Sequence, residues 1–557
     1  MPVHFDEDRQ IRRGEELRKK EAERFAQLIS NNTGLPYVDL SMVSISPDAL
    51  GLIDEQTARA GKLAVYHATG QNVSLAAFSP SDPKVKEVLD KLKTSGYNPS
   101  LSITTLNSLE RAWKYYADLH KTDETKIGQI DISGEALAKF AERIKTLEDT
   151  KKLMLETLAE KSKSRITAML EIILGSAIAL GASDVHMEPE EKEVRVRFRL
   201  DGILHDISSI DTHIYRLVLS RIKLLSALKL NVESARQDGR FSVEINKSSM
   251  DIRTSIIPGA YGESAVMRIL NPESIKVTLE KLGMSPQLLA IMRKEISKPN
   301  GMILNTGPTG SGKTTTLYTF LSEANEPGVK IITIEDPIEY HVQGIVQTQV
   351  NEKKGYTFAE GLKSAMRQDP DIIMVGEIRD NDTATTAVDA SLTGHLVFST
   401  LHTNNAAGTI PRLMDLGVNS KVLGPALNVA MAQRLVRMLC QACKRSRPVK
   451  PEERAIIEKK LATLKEIEIS RELPETIWEE VGCTVCNGTG FKGRVGVFEI
   501  ILIDDAMEKL IPEGPSESEV WQVARAQKIP NMAEDGILKV LDGITTIPEL
   551  ERVIDLS

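Results

Sequence analysis

Gly307-Pro308-Thr309-Gly310-Ser311-Gly312-Lys313-Thr314 fills every position of the pattern G-x-x-x-x-G-K-[ST]. The residue types follow from what binding a polyphosphate requires. Glycines let the backbone close into a nest of N–H donors. The lysine reaches the β- and γ-phosphates, and the hydroxyl after it can ligate Mg2+. Met302-Ile303-Leu304 ahead of the loop reads as a strand. Thr315 to Ala324, without Gly or Pro, reads as a helix whose positive dipole end lies under the phosphates. Strand, glycine-rich turn and helix together predict an α/β nucleotide domain; a bare Gly/Ser loop would not need those flanks.

Two apolar runs downstream close on carboxylates. One ends in Glu335, Asp336 and Glu339; the other, Asp371 to Val375, ends in Glu377. Ligands sit at the carboxyl edge of such strands. The four carboxylates can therefore converge on the phosphates, one to hold Mg2+ and one to orient water. A single carboxylate after a strand is more often a cap; four behind a complete loop reverse that reading for at least two. Leu392 to Thr403 reads as a strand with a histidine toward each end, His395 and His402. A lone histidine is usually structural, but His402 at a strand end can sense a γ-phosphate.

The chain has 557 residues, enough for three or four domains. Its 41% hydrophobic and 27% charged content is that of a globular protein. A formal charge of −8, from 70 basic and 78 acidic residues, argues against a general nucleic-acid surface. The charged stretch Met1 to Lys20 does not read as a secretory leader. The most apolar stretch, Ile172 to Ser183, is 12 residues long, too short to cross a bilayer. These features predict a cytoplasmic protein that meets a membrane only through a partner or its surface.

The four cysteines form two C-x-x-C pairs, Cys440/Cys443 and Cys483/Cys486, with 39 residues between them. Four thiolates from two knuckles suit a structural zinc tetrahedron, with a redox pair or free thiols as the other readings. Pro451 to Glu480 between the pairs is charged and reads as helical. Asp504 to Ser557 reads as a helical tail broken at prolines.

Upstream of the loop, Asp6 to Asn32 reads as an amphipathic helix with a small basic cluster, Arg9, Arg12 and Arg13, best taken as a solvated face. Thr33 to His120 alternates short helix and strand signals. Lys121 to Lys163 is a charged linker with a helical pattern over Gly134 to Ser162. Val194 to Leu200 alternates with period two, arginines on one face, and Asp201-Gly202 signals a hairpin. Arg253 and Arg268 lie on two later strands. Taken singly they are solvent-facing charges; beside a nucleotide domain they can act as arginine fingers.

In this order the blocks resemble the secretion ATPases, the hexameric motors of type II secretion and type IV pilus assembly. The resemblance covers nearly the whole chain and is strongest from Gly181 to Ile500. The phosphate loop is followed by an acidic box, Ile334-Glu335-Asp336-Pro337-Ile338-Glu339-Tyr340. A Walker B block runs from Arg367 to Asp380, and a His box from Thr393-Gly394-His395 to Leu401-His402-Thr403. Upstream, Ala182-Ser183-Asp184-Val185-His186-Met187-Glu188-Pro189 and Arg197 to Gly202 resemble the family's PAS-like domain, whose arginines reach the nucleotide. Gln237-Asp238-Gly239-Arg240 also fits, with Arg236 where the family often has Pro. The cysteines and Gly493 to Glu499 are similar to the assembly and secretion branches; the retraction branch lacks the cysteines and the long N-terminal domain. Residues 1–120 look like the mobile N-terminal domain, best matched at Gly34 to Leu40. Some relatives bind cyclic di-GMP there, through a leucine-and-glycine pattern that is not clear in this chain.

The resemblance implies an α/β fold: a RecA-like P-loop ATPase core, a PAS-like α+β domain before it, a small N-terminal α/β domain and a tetracysteine zinc-binding subdomain. The expected segments are 1–120 for partner binding, 121–163 as linker, 164–275 PAS-like, 276–432 RecA-like, 433–500 zinc-binding and 501–557 helical. It assigns Glu339 to positioning water, with Glu335 as the other candidate. It ties Glu377 and Thr314 to Mg2+, His402 to the γ-phosphate, and Arg253 and Arg268 to the nucleotide. The implied cofactors are ATP, Mg2+ and Zn2+. The implied assembly is a homo-hexamer working with an inner-membrane platform protein and a cytoplasmic adaptor on the N-terminal domain, without nucleic acid. The leading expectation is an ATPase motor that drives pilin or pseudopilin assembly in type IV pilus assembly, with type II secretion as the alternative. A DNA-uptake motor and a nucleotide-gated scaffold are the readings of another class.

Overall fold

The computed structural model describes residues 21–556, apart from 41–42, 44, 46, 51, 70–71, 95–96, 115, 117–128, 131–143, 160–164, 246–247 and 272–276. Arg9, Arg12 and Arg13 lie outside the described residues. So does most of 121–163, of which strand Gln129–Ile130 and helix Leu147–Ala159 are described. The chain forms two compact units, Met1–Lys126 and Ile127–Ser557.

The first unit carries a helix over 21–33 and a three-stranded sheet of β1 (Leu63–Thr69), β2 (Asn72–Ala77) and β3 (Asn98–Ile103). β1 and β2 pair antiparallel, whereas β2 and β3 pair parallel. A parallel pair needs a crossover, and helix Pro83–Thr94 provides it, burying Val85, Val88 and Leu92. Leu63, Val65, Leu75, Leu109 and Trp113 form the centre of its core.

The second unit contains two seven-stranded sheets. The first is built from β4 (Gln129–Ile130), β5 (Asp184–Pro189), β6 (Glu193–Leu200), β7 (Ile203–Asp211), β8 (Gln237–Ile245), β9 (Ser248–Gly259) and β10 (Gly262–Leu270). The strand order is β4-β8-β9-β10-β5-β6-β7. Except at β4–β8, all its pairings are antiparallel. In β6 the valines, Phe198 and Leu200 are buried while Arg195, Arg197 and Arg199 face the other way, as the alternation predicts. Asp201 (φ 47°) and Gly202 (φ 87°) close the β6–β7 hairpin with two positive-φ residues. Helices Arg165–Ala179 and Thr212–Leu225 contribute Leu170, Ile173, Val218 and Ile222 to the core on the apolar face.

The second sheet holds β11 (Gly301–Thr306), β12 (Ile331–Glu335), β13 (Val346–Gln349), β14 (Ile372–Val375), β15 (Leu396–Leu401), β16 (Leu427–Leu439) and β19 (Phe491–Leu502). Its order is β13-β12-β14-β15-β11-β16-β19. The strands from β13 to β16 run parallel and β19 pairs antiparallel at the edge. Every residue of β11, β12, β14 and β15 is buried, which is why these strands read as continuous apolar runs. Two cores lie on opposite faces. Met302, Leu304, Ile332 and Ile373 belong to one; Ile303, Ile331, Ile372 and Phe398 belong to the other.

β16 and β19 run straight through residues 432 and 500 into the cysteine region, so the segment limits expected there fall inside strands. The expected helix over Pro451 to Glu480 is correct only for its first half. Helix Pro451–Glu466 stops before Glu468, which has positive φ (65°). Then β18 (Thr476–Glu479) pairs with β17 (Arg445–Pro448). Pro474 and the β-prone run Thr476-Ile477-Trp478, with Ile477 buried, explain the switch.

Candidate functional site

The glycine-rich loop joins β11 to helix Lys313–Ala324, at the carboxyl edge of the second sheet. Gly307 (φ 145°) and Gly312 (φ 90°) admit no side chain. A Cβ on Gly307 would sit 2.6 Å from the Gln433 carbonyl, and one on Gly312 would sit 2.9 Å from Gln433 Nε2. Gln433 is itself buried, and its Oε1 accepts from Asn305 Nδ2 (2.9 Å) and Thr316 Oγ1 (2.8 Å). It thus braces the strand before the loop against the helix after it. Lys313 Nζ donates to the carbonyls of Gly307 (2.6 Å) and Pro308 (3.2 Å). Burial pushes its pKa down, Glu377 opposes that shift, and Arg434 adds to it. The buried Ser311 hydroxyl has no protein partner, an orphan that a phosphate oxygen would satisfy.

A cleft of about 500 Å³ opens over the loop. Thr309 to Thr315 line its floor, and Glu335, Asp336, Glu339, Glu377 and His402 line its walls. Arg268 enters from the first sheet. The expected convergence of carboxylates on this edge is therefore present, but the four are not equivalent. Glu335 is buried and fully engaged: it accepts from Tyr318 OH (2.5 Å), Thr333 Oγ1 (2.5 Å) and Gln347 Nε2 (3.1 Å). Glu339 lies on the loop after β12, with its Oε2 2.8 Å from Arg253 Nη1. Glu377 pairs with Arg379 and lies 3.3 Å from His402 Nε2. The Thr403 N–H donates to Thr306 Oγ1 (2.8 Å), fixing the chain just beyond His402 to the end of β11.

The first sheet delivers its arginines through its register. Arg240, Arg253, Arg268, Asp184 and Arg199 lie opposite one another in sequence across β8, β9, β10, β5 and β6. Like charges facing across strands repel, and carboxylates offset the repulsion. Asp184, nearly buried, lies 3.0 Å from Arg268 Nε and 3.4 Å from Arg199 Nε. Burial alone would lower the Arg268 pKa; hydrogen bonding to Asp184 reverses that and raises it. Arg253 also donates to the Ile338 carbonyl (2.7 Å), so it grips the Glu339 loop at two points. Asp184, Gln347, Gln433 and Arg434, whose guanidinium donates to Asn404 O (2.7 Å), escaped the sequence reading as site residues. Only the position of Asp184 in a quoted motif block signalled anything.

All four cysteine Sγ atoms lie within 4.8 Å of one another, a grouping unique among the described residues. The contacts Cys440–Cys483, Cys443–Cys486 and Cys483–Cys486 measure 3.9, 3.8 and 3.7 Å. Thiolates about 2.3 Å from a zinc ion at a tetrahedron's centre are about 3.8 Å apart, so the donors fit. Burial would raise the Cys486 pKa, but backbone N–H groups of Cys483 and Gly490 overcome it and bring the thiol down to about 7. Asn487 and Gly488 supply the left-handed turn of the knuckle. No described helix is long and apolar enough to cross a membrane.

The likeness to other proteins runs through these same regions. The chain is 42% identical to the type II secretion system protein E of Pseudomonas aeruginosa over 76% of its length and 81% of that protein. It is 35% identical to the type IV pilus assembly ATPase PilB of Myxococcus xanthus, over 95% of this chain and 91% of PilB. Among solved structures, the Legionella pneumophila ATPase DotB superposes with a TM-score of 0.51 at 21% identity, over 71% of this chain and 97% of DotB. The family described as Type II/IV secretion system protein matches residues 159–552, the stretch that holds the loop, the acidic strand ends and all four cysteines, and the chain belongs to that family.

Proposed function

We propose that the chain is a cytoplasmic ATPase motor, acting as a ring of six copies at the inner face of the membrane, that drives pilin assembly through an inner-membrane platform. The observation that carries this reading is the Arg253–Glu339 pair, which spans from the first sheet to the nucleotide cleft. A change of charge in the cleft acts directly on a contact between two sheets, which is how hydrolysis can move one domain against another.

In this reading residues 164–275 form the PAS-like domain and 276–432 the RecA-like core. Gly307 to Thr314 cradle the triphosphate of ATP, and Thr314 and Glu377 hold Mg2+. Bound Mg2+ supplies charge neutralisation on the phosphates. Glu339 orients the attacking water. Glu335 is spoken for by Tyr318, Thr333 and Gln347, which supports giving that role to Glu339. His402 faces the γ-phosphate, and Arg253 and Arg268 stabilise its charge. Cys440, Cys443, Cys483 and Cys486 hold a structural Zn2+. Residues 1–120 receive a cytoplasmic adaptor.

The alignment with the pilus assembly ATPase extends over 95% of the chain, including N-terminal residues, and supports pilus assembly. The higher identity to the type II secretion protein, 42%, favours secretion of proteins as the second reading. The Glu339→Gln variant tests the motor assignment. ATP hydrolysis is expected to fall at least about 100-fold while nucleotide binding persists; full turnover in that variant would remove Glu339 from its role. Crosslinking mass spectrometry on native membranes separates the machines by whether pilus-assembly or type II platform proteins are the neighbours.

A further inference from the structure

The loop from Asp336 to Ile345 carries Glu339 and has no regular secondary structure of its own. Arg253 holds its outer side. Beyond Glu339 the loop is met by Gln347 on β13, which stands beside Thr333 in the parallel pair β12–β13, by the Tyr318 hydroxyl at Tyr340 O (3.4 Å) and by Asn325 Nδ2, which donates to Gln343 O (3.1 Å). Of these, Gln347 alone makes more than one hydrogen bond to the loop backbone. Gln347 Nε2 donates to Tyr340 O (2.8 Å) and to Glu335 Oε1 (3.1 Å), and its Oε1 accepts from the Val342 N–H (2.8 Å). Tyr318 closes the set: its hydroxyl donates to Glu335 Oε2 (2.5 Å), and its ring meets that of Tyr340 edge to face at 6.3 Å.

We propose that Gln347 is the positioning residue of the Glu339 loop. It fixes the backbone on the C-terminal side of Glu339 to the carboxylate of Glu335, so that Glu339 is aimed by the sheet rather than by the loop. The inference rests on the reading of Glu339 as the residue that orients water. An amide is the side chain the place requires. It must donate twice, to a carbonyl and a carboxylate, and accept once from an N–H. A hydrophobic residue would leave Val342 N, Tyr340 O and Glu335 Oε1 each short of a partner. A glutamate would set a second carboxylate against Glu335. A displacement of about 1 Å at a catalytic group can cost about 100-fold in rate, so a contact one residue from Glu339 acts on turnover before it acts on nucleotide binding.

The test compares Gln347→Leu, Gln347→Glu and Glu339→Gln in the full-length protein. It measures steady-state ATP hydrolysis from pH 6 to 9, affinity for a non-hydrolysable ATP analogue, and thermal melting. Gln347→Leu is expected to lower kcat about 10- to 100-fold, with KM and analogue affinity within about 3-fold of the parent. Gln347→Glu is expected to be equally slow at pH 9. Its rate relative to the parent should rise at least about fivefold toward pH 6, as the introduced carboxyl, set against the carboxylate of Glu335, takes up a proton and regains a donor. Burial and the Glu335 carboxylate push the Tyr318 phenol up, so it stays protonated across that range. Gln347→Leu turning over within twofold of the parent, while Glu339→Gln is inactive, overturns the inference. So does a loss shared equally by kcat, analogue affinity and melting temperature without recovery at low pH, which marks a general structural role. Full activity of Glu339→Gln would instead overturn the reading of Glu339 itself, whatever the Gln347 variants do.

Discussion

Arg253 and Arg268 stand directly opposite one another on β9 and β10, and each answers to a different carboxylate. Glu339 lies 2.8 Å from Arg253, and Asp184 lies 3.0 Å from Arg268. One arginine of the pair thus reaches the loop after β12, while the other is held within its own sheet and borders the cleft. Both side chains of the Arg253–Glu339 pair are about a quarter exposed, so the contact is partly screened and contributes about 1 kcal/mol or less to stability. A weak contact suits a seam that opens and closes.

Arg253→Ala should therefore separate rate from stability. Turnover is expected to fall about tenfold or more as the loop carrying Glu339 loses the two contacts that Arg253 makes with it. Melting should move by no more than about 4 °C. Arg253→Lys should recover little, because an ammonium does not reproduce two contacts set by a planar fork. Parallel kinetics and calorimetry check both statements.

Asp184→Asn should behave differently. The carboxylate is nearly buried and faces Arg268, Arg199 and the Ser183 hydroxyl. Removing its charge is expected to cost about 1–3 kcal/mol in stability, read by chemical denaturation. It should also lower turnover by releasing Arg268 from its fixed direction. A variant with parental stability would place Arg268 outside Asp184's control.

Metal analysis of freshly purified, reduced protein should find about one zinc per chain. Cys440→Ser or Cys486→Ser should remove it and raise hydrogen exchange in 440–490, with smaller changes at the glycine-rich loop. Absence of zinc from the parent protein would defeat the assignment.

Glu499 on β19 sets an expected pH dependence. Burial drives its pKa up to about 7, although Ala406 N, Met532 N and Arg434 pull the other way. An unfolded glutamate titrates near pH 4.3. The folded state therefore keeps a proton that the unfolded state has lost, and the contribution is fully present below about pH 4.3. It is lost progressively as pH rises to about 7, by about 4 kcal/mol in all. Glu499→Gln should remove that slope between pH 5 and 7 in urea titrations. Its overall level should drop slightly, since Ala406 N and Met532 N donate to different carboxylate oxygens and an NH2 group would replace one of them.

Much of the site was legible in the sequence because its parts are short and contiguous. The glycine-rich loop, the carboxylates after β12 and β14, and the two C-x-x-C pairs are each specified by neighbours along the chain. What escaped depends on pairing at long range. Gln433 braces the loop from a strand far downstream, and only the parallel register of β11 and β16 puts it there. The facing of Arg253 and Arg268 depends on the β9–β10 register, which alternation alone does not set. Glu335 and Glu339 look alike in sequence; the Tyr318 hydroxyl, on the helix that follows the glycine-rich loop, distinguishes them. β18 was hidden because glutamates surround its short apolar run.

The long antiparallel pair β16–β19 also has a mechanical meaning. Gln433, whose side chain and carbonyl brace the glycine-rich loop, lies midway along β16, and the strand continues to Leu439, next to the first knuckle. Six residues of extended chain span about 20 Å, laddered to β19 on that side. Were the chain to pivot at the glycine-rich loop, such a ribbon would act as a lever. A tilt of about 10° there would be delivered as about 3–4 Å of travel at the cysteine end. A rigid four-sulfur clasp at the tip would keep that stroke from being absorbed by a yielding end.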